Sequence, residues 1–161
     1  MRLLIAAVGR LKAGPERELL ARYIERANAA GKPLALAPLE VVEIPESSAQ
    51  TATKRKSDEA NALLAAIQDK SKIIALDERG KNISSEDFAK TLARIRDDGA
   101  GSTALLIGGA DGLDEGLRKK ADMTIALGAA TFPHQIVRIL LAEQIYRAVT
   151  ILAGHPYHRG N

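Results

Sequence analysis

Three glycines, at 108, 109 and 112, follow directly on an apolar stretch, Thr103 to Ile107, that reads as a buried strand. In a parallel sheet the loop leaving a strand's C-terminal end is where ligands gather. Glycines there let main-chain N–H and C=O groups come close to a ligand. The spacing is not that of a dinucleotide fingerprint, because Ala110 stands where its second glycine belongs, and no Gly-Lys-Ser/Thr follows to make a phosphate-cradling loop. A nucleotide-binding Rossmann protein is therefore disfavoured. A tight turn needing positive φ is the alternative use of these glycines.

Two further strand ends can converge on the same edge: Leu76-Asp77, and Leu127 through Phe132, which contains Gly128, Ala129, Ala130 and Thr131. The small residues of the last segment allow a flat heterocycle to be held by the backbone, or they serve close packing alone. At the end of the chain, His155-Pro156-Tyr157-His158-Arg159 brings two of the three histidines together. No carboxylate or cysteine stands at ligand spacing, so this is not a metal site; a tail in solvent is the simpler reading. Lys54-Arg55-Lys56 is the densest basic run and precedes a helical stripe beginning at Ala60. It is either a solvated face or an RNA contact. Glu143 and Arg147, at i and i+4, form a helical ion pair.

The elements that must position these groups alternate in type. Arg2 to Val8 is a strand, and Pro15 opens a helix with Leu19, Leu20, Tyr23, Ile24 and Ala27 on one face, stopped by Gly31 and Pro33. Leu34 to Ile44 is extended; Ala60, Leu63, Leu64 and Ile67 make the next helix. After strand Lys72 to Leu76, Ser84 with Asp87 three residues on resembles a capping box, and Phe88, Leu92 and Ile95 line the inner face of that helix. A short helix follows the glycine loop. Strand Met123 to Leu127 then leads into a long helix from about His134 to Leu152, whose apolar residues cover more than one stripe. That breadth calls for burial on several sides, in a homodimer interface or in a central core position. His134 and Arg138, one turn apart at its start, orient the preceding loop or touch substrate. Strands alternating with helices predict a single α/β layered domain over residues 1–161 with a mostly parallel sheet.

Composition bounds the rest. With 161 residues and 46% hydrophobic content the chain can bury a continuous core. It has no cysteine, which removes disulfides, thiolate nucleophiles and cysteine zinc sites and suits a reducing, cytoplasmic setting. No apolar run has membrane-spanning length. A net charge of +3 permits an RNA partner without demanding one, and 3% aromatics are too few for a base-stacking platform.

Taken together, LIGGADGL at 106–113, TFPHQIVRILLAEQIYRA at 131–148 and HPYHR at 155–159 resemble the RlmH family of SPOUT methyltransferases. The start MRLLIAAVGRLK and the segment IIALDERGKNISSEDFA at 73–89 extend the likeness over nearly the whole chain; Gly128 departs from it, where many relatives carry serine. The resemblance implies a SPOUT-type Rossmann-like fold with a C-terminal trefoil knot and a homodimer. It also implies transfer of a methyl group from S-adenosylmethionine to N3 of a pseudouridine in large-subunit ribosomal RNA of the assembled ribosome. The cofactor would be held by Leu76, Gly108, Gly109 and the run Leu127, Gly128, Ala129, Ala130, Thr131 and Phe132. The imide must lose a proton, and a neutral imidazole accepts one near neutral pH, so His158 is the expected base or base-orienter, with Tyr157 and Arg159 positioning RNA from their own subunit or the partner's. The alternatives are another SPOUT enzyme acting on tRNA ribose, or a noncatalytic ribosome-binding factor.

Overall fold

Along the first strand, Leu3, Ile5 and Ala7 enter one apolar layer while Ala6 and Val8 enter another, so the strand is covered on both faces. This is why its sequence reads as an unbroken apolar run. The same alternation recurs in Leu105 and Ile107 against Ala104 and Leu106. The computed structural model describes residues 1–159; the side chains of His158 and Arg159 lie outside the described residues.

The strands are β1 (Arg2–Val8), β2 (Leu39–Ile44), β3 (Lys72–Asn82), β4 (Ser102–Ile107) and β5 (Met123–Ala126). They form one sheet of order β2-β1-β4-β3-β5, parallel throughout. Helices α1 (Pro15–Gly31), α3 (Ser85–Asp97) and α5 (His134–Leu152) cover one face; α2 (Ala52–Ala66) and α4 (Glu115–Lys120) cover the other. This is the layered α/β arrangement expected from the alternation of elements. The Ser84 cap is formed: its hydroxyl accepts from the Asp87 amide at 3.0 Å.

Three boundaries differ from the sequence pattern. Extension does not begin at Leu34, because Lys32–Leu34 continue α1 as a tight turn. β2 starts only where the Asn28 side chain takes both main-chain groups of Leu39, at 2.6 and 3.0 Å. α2 begins well ahead of its apolar stripe, capped by Thr51, so the basic run lies inside the helix and not before it. β3 runs on past Leu76: Leu76 and Lys81 both pair with Ile125, and the residues between them bulge out of the ladder.

From Val137 to Leu152 no residue of α5 is exposed, because α1, α3 and the sheet enclose it within one chain. The apolar breadth of α5 is thus accounted for by the core of a single chain and does not require a dimer interface. Phe132 and Ile136, at the helix start, remain exposed.

Candidate active site

The bulge within β3 and the C-terminal ends of β4 and β5 open on one cleft of about 680 Å³, a size that suits a small organic molecule. Each strand contributes differently. From β3 comes the bulge Asp77 to Gly80, which exists because the ladder skips from Leu76 to Lys81. From β4 comes the glycine-rich loop, closed by the Gly112 amide on the Gly109 carbonyl at 3.0 Å. The loop after β5 runs from Leu127 to Pro133 and leads directly into α5.

Of the residues singled out for a cofactor, Leu76, Gly108, Gly109, Leu127, Gly128, Ala130, Thr131 and Phe132 all line this cleft. Ala129 belongs to the same loop without lining it. A Cβ on Gly108 would lie 2.7 Å from the Gly112 carbonyl carbon, and one on Gly109 would lie 3.0 Å from Val8 Cγ1. No side chain fits at Gly108, where the neighbour is backbone, and one at Gly109 would have to push the Val8 and Glu59 side chains aside, which leaves the main chain facing the cleft. Gly128 is different: nothing lies within 4 Å of its Cβ position, but its φ of +115° is one that other residues rarely adopt.

The tail residues are placed elsewhere. The Tyr157 ring packs on α5, its centroid 4.6 Å from that of Tyr146 and 5.1 Å from the Arg147 guanidinium, and its hydroxyl donates to Glu143 at 3.2 Å. Burial, reinforced by Tyr23 and Glu143, pushes its phenol up to about 12. Tyr157 does not line the cleft of its own chain. His158 and Arg159 continue the turn Pro156–Arg159, their side chains being outside the described residues. Glu143 and Arg147 form the expected pair, at 2.7 Å.

Several groups outside the expected cofactor set line or support the cleft. Asp77 lies in the bulge, 3.6 Å from Arg118 on α4. Of the basic run, Lys54 pairs with Asp58 at 2.7 Å and Arg55 with Asp111 at 2.6 Å, while Lys56 lines the cleft. The Arg55 guanidinium holds the Asp111 carboxyl below the usual carboxylate range. His134 lines the cleft, 3.6 Å from Glu46. Arg138 is wholly buried and donates to the carbonyls of Val8 and Gly9 as well as to Glu43. It therefore fastens the start of α5 to the end of β1. Among the described residues no group of three or more His, Asp or Glu is placed to hold a metal ion.

These walls suit a ligand that is part apolar and part polar. Leu76, Ile125, Leu127 and Val137 supply apolar surface; Asp77, Glu78 and Asp111 on one hand and Lys56 and Arg79 on the other supply charges of both signs; the glycine loop supplies main-chain donors and acceptors.

Comparison with known proteins gives the family and the fold. Residues 1–158 match the family model described as predicted SPOUT methyltransferase. The chain is 58% identical over 159 residues to a protein named ribosomal RNA large subunit methyltransferase H from Xanthobacter autotrophicus, covering 99% of each. It is 56% identical over 159 residues to the protein of the same name from Brucella anthropi, again covering 99% of each. Among solved structures, a probable methylase family protein from Haemophilus influenzae superposes with a TM-score of 0.51 at 14% identity, over 96% of this chain and 69% of that one. A probable methyltransferase from Bordetella pertussis gives 0.51 at 16% identity, over 92% and 96%. At such identities these two structures speak for the fold alone.

Proposed function

The chain belongs to the SPOUT methyltransferase family, and from that premise we propose that it methylates large-subunit ribosomal RNA, taking the methyl group from S-adenosylmethionine and placing it on N3 of a pseudouridine in the assembled ribosome. The observation that carries the proposal is the cleft at the β3 bulge and the ends of β4 and β5, whose walls are main chain at Gly108 and Gly109 and open at Gly128. A flat adenine joined through a sulfonium to a zwitterionic amino-acid arm matches a cleft with apolar sides, backbone edges and side chains of both charges.

When bound, the donor supplies an electrophilic methyl on a sulfonium. Leu76, Gly108, Gly109 and the loop Leu127 to Phe132 hold it, so that most of the catalysis lies in alignment with the acceptor. The acceptor nitrogen would give up its imide proton as the new N–C bond forms and the bond from methyl to sulfur breaks, the donor leaving as a neutral thioether. His158 is assigned to receive or direct that proton, with Tyr157 and Arg159 positioning the nucleotide. Because Tyr157 does not line its own chain's cleft, the tail is assigned to the cleft of the partner subunit in a homodimer. The trefoil knot of the family belongs to the same reading. No helix among the described residues is long and apolar enough to cross a membrane, and ribosomes as substrate place the protein in the cytoplasm.

The test is transfer of labelled methyl from S-adenosylmethionine to intact ribosomes that lack the modification, followed by mapping of the labelled nucleotide. Label on a large-subunit pseudouridine is the expected result. No label despite donor binding would redirect the assignment to another RNA, and absent donor binding would favour a noncatalytic ribosome-binding factor.

A further inference from the structure

Helix α2 touches the glycine-rich loop at two points one turn apart. Arg55 donates Nε to Asp111 Oδ2 at 2.6 Å and Nη2 to Asp111 Oδ1 at 3.1 Å, a two-pronged grip, while its Nη1 reaches the Ala49 and Gln50 carbonyls at 3.0 and 3.2 Å. Four residues on, Glu59 is buried beneath the loop. Its Oε1 accepts from the Ser47 amide at 3.0 Å, and its Oε2 has no hydrogen-bond partner among the described residues. That free oxygen would lie 3.1 Å from a Cβ on Gly109. A buried carboxylate oxygen left without a donor is costly, and it faces the segment that lines the cleft.

A loop with glycines at 108, 109 and 112 has many conformations to lose before it can hold a ligand. Fixing it in advance shifts that cost from the binding step to folding and so raises affinity. We propose that Arg55 and Glu59 are positioning residues for the methyl donor: Arg55 fixes the outer end of the loop through Asp111, and Glu59 Oε2 is the acceptor for a loop amide when the donor is in place. The proposal rests on the assignment of this loop to the donor. It concerns groups that touch the loop and not the reacting atoms.

Calorimetric titration with S-adenosylmethionine tests it, using the full chain as wild type, Arg55→Gln, Asp111→Asn, the double variant and Glu59→Gln, at low and high salt. Arg55→Gln and Asp111→Asn should each weaken donor binding by about three- to tenfold, and the double variant by no more than either alone. High salt should weaken the wild type toward the variants and leave the variants nearly unchanged. Glu59→Gln should weaken binding at both salts, and in methyl transfer the donor KM of each variant should rise by more than kcat falls. Asp111→Asn keeps the side chain's shape but also changes the charge lining the cleft, so the non-additivity of the double variant, and not either single loss, carries the test. Wild-type affinity in Arg55→Gln and Asp111→Asn, or strictly additive losses in the double variant, overturns the clamp. A wild type that binds no donor removes the loop assignment itself, and the clamp with it.

Discussion

Arg138 at the start of α5 pairs with Glu43 of β2 and, with the same guanidinium, donates to the carbonyls of Val8 and Gly9 at 3.0 and 3.1 Å. One side chain thus joins the helix that follows the cleft loop to the ends of two strands. Burial pulls its guanidinium below its ordinary value, against the pull of Glu43, and Nε has no partner among the described residues. A buried cation of this kind stabilises only while its partners remain. Glu43→Gln should lower stability by about 1–3 kcal/mol, and Arg138→Met by about 3–5 kcal/mol, since the latter strands two carbonyls and a carboxylate. Urea unfolding checks the order; equal and negligible losses would mean the network is dispensable.

Two glycines of the cleft, Gly108 and Gly128, should respond differently to a Cβ. At Gly108 a Cβ meets backbone at 2.7 Å, which cannot move aside without opening the loop. Gly108→Ala should therefore abolish donor binding and destabilise the fold by about 1–3 kcal/mol. At Gly128 there is room, and only the φ of +115° resists. Gly128→Ser should cost about 1 kcal/mol and keep donor binding. Thermal melting and donor titration of the two variants side by side separate space from strain.

The layers, the parallel sheet and the three cleft loops were legible because apolar runs, capping residues and glycines act locally along the chain. What was not legible depends on pairs distant in sequence. Arg55 and Asp111 are 56 positions apart, and nothing in the basic run around Arg55 tells which cation will find a carboxylate. The β3 bulge is likewise invisible, because its existence rests on Leu76 and Lys81 sharing Ile125. The breadth of α5 left two readings open for the same reason: an apolar helix states how much must be covered, not whether α1 and α3 or a second chain covers it.

Acid should weaken the fold at a predictable place. Asp111 and Asp122 are held below the ordinary aspartate value of 3.8, mainly by hydrogen bonds from Arg55 and Lys72. A lowered folded-state value means that stability is present above 3.8 and is lost as pH falls through the lower folded value. Stability measured from pH 7 downward should hold level until the ordinary carboxylate range and then drop. In Asp111→Asn the drop should be shallower; an unchanged acid limb would show that the Arg55 pair contributes nothing to it.

The docked tail should come apart at the opposite extreme. Tyr157 ionises near 12 in the folded chain against 10.0 ordinarily, chiefly because it is buried. A raised folded value means that the stabilisation is intact below 10.0 and lost as pH climbs toward 12. Tyrosinate absorbance should show a late phase near 12 that Tyr157→Phe removes. If the variant keeps that phase, the tail is not packed on Tyr146 and Glu143 in solution.

If each cleft is completed by the partner's tail, two inactive proteins should repair one another. Gly108→Ala removes the donor site and leaves the tail; His158→Ala removes the proton-handling group and leaves the donor site. In a mixed dimer, one cleft combines an intact loop with an intact tail, and the other combines both defects. Random exchange of equal amounts puts half the chains' dimers in the mixed form, each with one working cleft, so methyl transfer should return to about a quarter of wild type. Recovery near that level, with neither variant active alone, identifies the tail as supplied in trans. Failure to recover, after subunit exchange has been verified with differently tagged chains, would place His158 at the cleft of its own chain, and the packing of Tyr157 on α5 would then have to loosen during the reaction.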